Sequence, residues 1–92
     1  MSGPGVSVIL PVRDGARFVR EALESVFAQG DAAELEVIVI DDGSRDDTAE
    51  IAAAFPAVRV LTGGTPEAPV GPAAARAAGL AAARAPLIGF ID

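Results

Sequence analysis

Residues 37–44, Val-Ile-Val-Ile-Asp-Asp-Gly-Ser, determine how the rest of the chain is interpreted. The four apolar residues are typical of a strand that is buried on both faces, and the Asp-Asp-Gly-Ser sequence is typical of a turn. Two adjacent carboxylates, Asp41 and Asp42, therefore leave the strand together. Because neighbouring carboxylates repel each other unless a cation, a donor group or water compensates them, the pair is a candidate binding site. The structural alternative is that Asp41 only ends the strand and Asp42 only caps the turn to Ser44.

Two other apolar runs also end on charged residues. Residues 6–12 are followed by Arg13-Asp14, and residues 87–91 are followed by Asp92. Ligands of open parallel sheets bind at the carboxyl ends of the strands. If these strands are parallel neighbours, one edge of the sheet carries four carboxylates: Asp14, Asp41, Asp42 and Asp92. For Asp92, a frayed chain end is the alternative interpretation.

Hydrophobic periodicity and the positions of Gly and Pro predict seven elements in the order βαβαβαβ. They are strand 6–12, helix 15–29, strand 35–40, helix 46–55, strand 58–61, helix 72–84 and strand 87–91. A capping box at residues 44–47 is predicted to open the second helix. The third helix is nearly all alanine. Its small side chains let it lie close to a sheet, so its packing is expected to depend on Leu80 and on the proximity of its backbone to the sheet. The predicted fold class is α/β, a Rossmann-like open and mostly parallel sheet with helices on both faces.

Composition limits the functions that this chain can have. Its 92 residues allow one small domain, predicted to span 1–92, and its apolar runs are too short for a membrane helix. The amino end has no signal-peptide pattern, which predicts a cytoplasmic location. Without cysteine or histidine, a bound metal must be a hard cation. A net charge of −6, with no basic cluster, argues against nucleic-acid binding.

Two arginines are predicted to lie near the acidic edge: Arg13 directly follows the first strand, and Arg76 lies one turn into the third helix. A guanidinium matches the geometry of phosphate, and the helix that opens at Gly71-Pro72 directs free amides to the same region. Solvated surface charge is the alternative for both arginines. The remaining arginines are assigned to solvated faces: Arg17, Arg20, Arg45, Arg59 and Arg84. Asp46 and Asp47 are interpreted as first-turn residues of the second helix, and Phe18, Phe27 and Phe55 as core.

Three stretches in this order resemble the opening of family 2 glycosyltransferases. They are residues 6–14 (Val-Ser-Val-Ile-Leu-Pro-Val-Arg-Asp), 22–29 (Ala-Leu-Glu-Ser-Val-Phe-Ala-Gln) and 36–46 (Glu-Val-Ile-Val-Ile-Asp-Asp-Gly-Ser-Arg-Asp). Residues 71–79 and the final Phe-Ile-Asp continue the resemblance over nearly the whole chain. It implies a GT-A fold that binds a nucleotide-diphospho-sugar, such as a UDP-sugar, and an enzyme that transfers the sugar with inversion.

The resemblance also implies roles for individual residues. Pro11 and Arg13 would border the base and ribose, Asp42 would hydrogen-bond the base with Asp41 beside it, and Arg76 would lie near the diphosphate. The predicted donor-binding set is Pro11, Val12, Arg13, Asp14, Asp41, Asp42 and Arg76. Asp92 corresponds to the first aspartate of the family's Asp-x-Asp motif, so Mg²⁺ or Mn²⁺ is expected there together with the donor.

The chain departs from the family pattern in three places. Arg13-Asp14 stands where Tyr-Asn is most common, so arginine would have to replace an aromatic ring against the base. Ala77 replaces an asparagine. The rest of the metal motif, the catalytic base and the acceptor site would lie beyond Asp92, which predicts a segment truncated after the fourth strand, with no catalytic residue and no turnover of its own. The acceptor stays unassigned, and the parent protein is expected in the cytoplasm or at the cytoplasmic face of a membrane.

Other functional classes fit the sequence less well. A dinucleotide-binding oxidoreductase needs a glycine fingerprint after the first strand, and residues 11–17 (Pro-Val-Arg-Asp-Gly-Ala-Arg) lack it. A phosphoacceptor receiver domain needs its acidic pair on the first strand and a lysine on a later one, and the chain contains no lysine. A non-catalytic module with a vestigial nucleotide site, or an interaction module, remains the alternative.

Overall fold

The computed structural model of the protein describes residues 3–29 and 34–91. Its elements are β1 (Val6–Val12), α1 (Ala16–Gln29), β2 (Leu35–Asp41), α2 (Thr48–Ala53), β3 (Val58–Thr62), α3 (Pro72–Ala82) and β4 (Leu87–Phe90). The predicted order βαβαβαβ is therefore confirmed. Each predicted strand is present, and the largest error in the bounds concerns the second helix, which is shorter than predicted at both ends.

The four strands form one parallel sheet in the order β3-β2-β1-β4. In the register between β1 and β2, Val6 lies opposite Leu35 and Val12 lies opposite Asp41. Because β1 ends beside β2 and all strands run the same way, the loops that follow them meet at one edge of the sheet. This arrangement confirms the predicted α/β fold class.

Apolar side chains of the central strands alternate between two helical layers. Leu10, Val12, Val37 and Val39 pack in one buried cluster with Val19 and Leu23 of α1 and Ala52 of α2. Ile9, Ile38 and Ile40 face the other side, where Ala75 of α3 covers them. A strand buried on both faces has no polar alternation, which explains the uninterrupted apolar run in β2.

Helix α3 packs on the sheet through its smallest residues. Its buried positions are Ala75 and Gly79. A Cβ atom at Gly79 would lie 2.5 Å from Cγ2 of Ile9 and 2.8 Å from Cδ1 of Ile40, so only glycine allows the helix to approach this closely. The predicted proximity of the helix backbone to the sheet is confirmed. The predicted contribution of Leu80 is wrong: Leu80 is 51% exposed, because it points about 100° around the helix from the buried Gly79.

Two other predictions from the sequence also need correction. Phe18 belongs to α1 but is 39% exposed, so it is not a core residue. The predicted capping box at residues 44–47 does not form, because Asp47 precedes α2 without a side-chain hydrogen bond to that helix. The Ser44 side chain instead accepts the amide of Asp14, and the Asp46 carboxylate accepts the amides of Ala16 and Thr48.

A buried carboxylate, Glu36, occupies the opposite, amino-terminal end of the sheet. Its Oε1 accepts hydrogen bonds from the Ser7 hydroxyl (2.7 Å) and the Arg84 amide (2.8 Å), and its Oε2 lies 2.8 Å from Nη1 of Arg59. Nη1 of Arg59 also donates to the Ala82 carbonyl at 3.0 Å. Arg59 was assigned to a solvated face, and this prediction is wrong. Arg84 keeps a mostly exposed side chain, 4.0 Å from Glu36.

Within residues 3–29 and 34–91, the structure contains no helix with the length and apolar character needed to cross a membrane.

Candidate functional site

Three loops converge at the carboxyl edge of the sheet. They follow β1, β2 and β3, and we call the last one, residues 63–71, the 63–71 loop. The amide of Asp42 donates to the Val12 carbonyl at 2.9 Å, and the amide of Gly63 donates to the Asp41 carbonyl at 2.9 Å. The backbone pairing of the strands thus continues into the loops and brings them side by side.

A cavity of about 370 Å³ opens between these loops and the start of α3. Its lining contains five predicted donor-binding residues: Pro11, Val12, Arg13, Asp42 and Arg76. The other lining residues come from the 63–71 loop and α3: Pro69, Gly71, Pro72 and Ala75. The volume lies within the usual range of small-molecule sites. Asp14 and Asp41 lie outside this lining, and the predicted metal residue Asp92 lies outside the described residues.

Asp42 is buried, with 6% of its surface exposed, and its carboxylate binds the 63–71 loop. Oδ1 accepts hydrogen bonds from the amides of Gly64 and Val70, and Oδ2 accepts one from the amide of Gly71, each at 2.8 Å. The hydrogen bond from Val70 contributes most to lowering the pKa of Asp42, and the other two amides and the charge of Arg13 add to it against the effect of burial. Asp42 is therefore ionised at neutral pH.

Asp41, not Asp42, caps the turn that follows β2. Its Oδ1 accepts a hydrogen bond from the Ser44 amide at 3.2 Å. The sequence analysis offered the alternative that Asp42 caps the turn to Ser44. A capped turn is present, but Asp41 is the residue that caps it.

Asp14 joins the loop after β1 to the loop after β2. Its amide donates to the Ser44 hydroxyl at 2.8 Å, and its Oδ1 accepts from the Arg45 amide at 2.6 Å. Its φ of 51° is the left-handed conformation, which aspartate tolerates better than most residues do. Asp14 is therefore placed to support the edge of the cavity from outside.

Asp46 and Thr48 cap α1 from a distant part of the chain. The Gly15 amide donates to the Thr48 hydroxyl oxygen at 3.1 Å, and the Ala16 amide donates to Oδ2 of Asp46 at 3.2 Å. The Thr48 hydroxyl in turn donates to Asp46, and this bond contributes most to the lowered pKa of Asp46. The sequence analysis missed this cap. Two features of the sequence could have indicated it. Gly15 has no side chain to cap α1, and residues 46–48 (Asp-Asp-Thr) contain more capping residues than α2 needs.

The cationic side of the cavity consists of Arg13, Arg76 and the amino end of α3. Gly71 precedes the helix and Pro72 occupies its first turn. Unsatisfied amides at a helix start and guanidinium groups both bind anions, and phosphate matches both. Across the part of the chain that the structure describes, acidic side chains do not gather in a group of three or more that could hold a metal ion.

Comparison with known proteins gives a consistent result. The model of the family described as "Glycosyl transferase family 2" matches residues 7–92. The succinoglycan biosynthesis protein ExoU of Rhizobium meliloti is 41% identical over 94 residues, covering 95% of this chain and 25% of that protein. The chain thus spans about a quarter of the length of this relative.

Two solved structures share the fold. Glucosyl-3-phosphoglycerate synthase from Mycobacterium tuberculosis, in complex with Mn²⁺, uridine diphosphate and glucosyl-3-phosphoglycerate, has a TM-score of 0.76 and 34% identity, covering 98% of this chain and 33% of that one. The mannosyltransferase PcManGT from Pyrobaculum calidifontis, in complex with GDP-Man and Mn²⁺, has a TM-score of 0.75 and 27% identity. The match covers 91% of this chain and 26% of that one.

Proposed function

The chain belongs to glycosyl transferase family 2, and from this premise we propose that the cavity beside Asp42 binds the nucleoside diphosphate of a nucleotide-sugar donor. The observation that carries the proposal is the convergence of Arg13, Asp42 and Arg76 on one cavity of about 370 Å³. These residues are far apart in the sequence, and a nucleoside diphosphate needs both an anion site and a less polar site for its base.

The two sides of the cavity suit the two parts of such a ligand. Arg76 and the start of α3 offer positive charge to the diphosphate. Pro11 and Pro69 offer apolar surface to the base and ribose, and Arg13 can stack its planar guanidinium on the base. Asp42 lines the same cavity. Asp41 and Asp14 support the surrounding loops.

A divalent cation fits this proposal only together with the donor. The described carboxylates at this edge already accept backbone hydrogen bonds: Asp42 from the 63–71 loop, Asp41 from Ser44 and Asp14 from Arg45. The correspondence of Asp92 to the family's metal motif implies that Asp92 and the phosphate oxygens of the donor would hold Mg²⁺ or Mn²⁺, as is usual for nucleotide sites. When bound, the cation would neutralise charge on the departing diphosphate.

We further propose that an enzyme containing this segment transfers the sugar to an acceptor with inversion. The residues assigned here bind and orient the donor, and none of them is assigned as the base that an acceptor hydroxyl requires. We therefore expect the chain by itself to bind a donor nucleotide without turning it over. The similar structures hold a uridine and a guanosine nucleotide, so both are candidates.

Isothermal titration calorimetry with UDP or GDP, in the presence of Mn²⁺, tests this function. Arg76→Ala should weaken binding about tenfold, because a hydrogen bond to a charged group contributes about 1.5 kcal/mol or more. Uridine, which lacks the diphosphate, should bind weakly to both proteins. Arg20→Ala is the matched control, since Arg20 lies exposed on α1 and outside the cavity lining.

The same titration distinguishes the alternative function. If the folded chain binds neither nucleotide at millimolar concentration, the donor-site proposal is wrong, and a vestigial or purely interacting module becomes the better explanation. If Arg20→Ala weakens binding as much as Arg76→Ala does, the attraction is a general effect of charge and not a site.

A further inference from the structure

The 63–71 loop forms one side of the cavity and has no regular secondary structure. Among its described bonds, the amides of Thr65 and Ala68 each donate to the carbonyl of the other residue, at 3.2 and 3.1 Å. These bonds close a turn at the outer end of the loop. At the inner end, the amides of Gly64, Val70 and Gly71 converge on the single carboxylate of Asp42.

The carboxylate of Asp42 commits most of its bonding capacity to this loop. An ionised carboxylate can accept about four hydrogen bonds, two at each oxygen. Oδ1 accepts two backbone bonds and Oδ2 accepts one. Hydrogen bonds to an ionised acceptor are stronger than neutral ones, and burial of Asp42 protects them from competing water.

Within the 63–71 loop, the backbone near Gly64 lies very close to the backbone near Pro69. The hydrogen bonds of Asp42 to both parts explain this close approach. A Cβ atom at Gly64 would lie 2.2 Å from the Ala68 carbonyl oxygen and 2.7 Å from Cα of Pro69. The two arms of the loop are therefore in contact where they reach Asp42. The second arm continues through Gly71 directly into α3, which carries Arg76, so the same carboxylate also fixes the start of that helix.

We propose that Asp42 is a positioning residue, whose carboxylate holds the 63–71 loop and the start of α3 in the arrangement that forms the nucleotide cavity. This inference rests on the proposed function for its effect on nucleotide binding. It assigns Asp42 a second role besides contact with the base: the residue builds the wall of the site before any ligand enters. Neutralising Asp42 should then release the loop locally and weaken nucleotide binding, while the sheet stays intact.

Hydrogen exchange measured by NMR, without nucleotide, tests the positioning role. In Asp42→Asn the amides of Gly64, Val70 and Gly71 should exchange at least about tenfold faster than in the wild type, because the charged acceptor is lost. The amide of Val39 in β2 reports global unfolding and should accelerate clearly less than these three amides do. Asp47→Asn is the matched control: it makes the same charge change in an exposed residue that makes no side-chain hydrogen bond to α2.

Calorimetry with UDP and Mn²⁺ on the same proteins tests the consequence for binding. Asp42→Asn should bind about tenfold more weakly, and Asp47→Asn should match the wild type. Gly64→Ala is a second variant that disturbs the loop and keeps aspartate at position 42, and it should also weaken binding.

The outcomes separate this inference from the proposed function. Unchanged exchange of the three amides in Asp42→Asn overturns the positioning role, as does equal acceleration in Asp47→Asn. Accelerated exchange with unchanged UDP affinity overturns the link between the loop and binding. If the wild type binds no nucleotide, the proposed function fails, and the exchange data still decide whether Asp42 holds the loop. If Asp42→Asn does not fold, wild-type affinity in Gly64→Ala overturns the inference.

Discussion

Several polar side chains at the carboxyl edge of the sheet connect one loop to another. Thr48 is fully buried and its hydroxyl oxygen accepts the hydrogen bond of the Gly15 amide, which belongs to the beginning of α1. The first amides of a helix have no partner within the helix, so the first residue of α2 supplies an acceptor at the amino end of α1. The position of α1 therefore depends on residues more than thirty positions away in the sequence.

Thr48→Val should destabilise the protein by about 1–2 kcal/mol. The substitution keeps the shape of the side chain but leaves the partly buried Gly15 amide without its acceptor. Thr62→Val makes the same change at an exposed strand position and should alter stability by less than about 0.5 kcal/mol. Urea unfolding of the three proteins gives the comparison. Equal stability of Thr48→Val and Thr62→Val would contradict the cap.

The sequence predicted which residues lie at the site better than it predicted what each of them binds. The acidic pair at the end of β2 was identified from the strand that precedes it, and Arg13 and Arg76 were placed at the same cavity. The sequence could not show that Asp41 binds Ser44 while Asp42 binds the 63–71 loop. The partners of Asp42 depend on the path of a loop 22–29 positions away in the sequence, which leaves no local pattern.

At the scale of elements, α3 differs most from its prediction. An alanine-rich helix has small apolar residues on every side, so its sequence does not show which side is buried. Hydrophobicity alone favours the largest side chain, Leu80, as the buried one. In the structure the helix instead presents Ala75 and Gly79 to Ile9 and Ile40, because these isoleucines fill the space between helix and sheet. Close packing therefore selects the smallest residue here, and not the most apolar one.

Gly79→Val should cost more than about 2 kcal/mol of stability. Its side chain would overlap two fully buried isoleucines, and overpacking of this kind costs more than the improved helix propensity returns. Ala78→Val adds the same residue to the exposed neighbouring position and should cost about 0.5 kcal/mol. Thermal unfolding of both variants measures the difference. Similar melting temperatures would mean that α3 does not lie this close to the sheet.

Strands and long helices could be predicted from the sequence because their periodicity is local. The bounds of β1 matched the prediction, and α1 began one residue later than predicted. Helix α2 was extended too far, from 46 to 55, whereas it spans Thr48–Ala53. Its predicted start was wrong because Asp46 precedes α2, where its carboxylate accepts the amides of Thr48 in α2 and of Ala16 in α1.

Across the whole molecule, two buried carboxylates of β2 and its exit hold α3 at both ends. Asp42 accepts the amide of Gly71 before the helix, and Glu36 accepts the amide of Arg84 after it. Arg59 reinforces the second end, since it bonds both Glu36 and the Ala82 carbonyl. Helix α3 has few large side chains to pack on the sheet, and hydrogen bonds to these carboxylates fix its two ends instead. These bonds are strongest while the carboxylates are ionised.

Acid should therefore weaken the whole fold. Burial raises the pKa of Glu36, but hydrogen bonds from Ser7, Arg84 and Arg59 outweigh it, and the net pKa is lowered. The pKa of Asp42 is also lowered. A carboxyl group with a lowered folded-state pKa stabilises the protein fully above its unfolded pKa, about 4, and loses this contribution as the pH falls through the folded value. Stability should be maximal above about pH 5 and should fall steadily below about pH 4.

Glu36→Gln tests the largest of these networks, because it removes the charge and keeps the shape. At pH 7 the variant should be less stable than the wild type by about 2 kcal/mol, the scale of a hydrogen-bonded charged group. As the pH falls below about 4, the wild type protonates and the difference should shrink. Glu24→Gln, in an exposed position of α1, should match the wild type at every pH. Denaturant unfolding between pH 7 and pH 3 measures this, and a difference independent of pH would show that shape, and not ionisation, makes Glu36 important for holding α3.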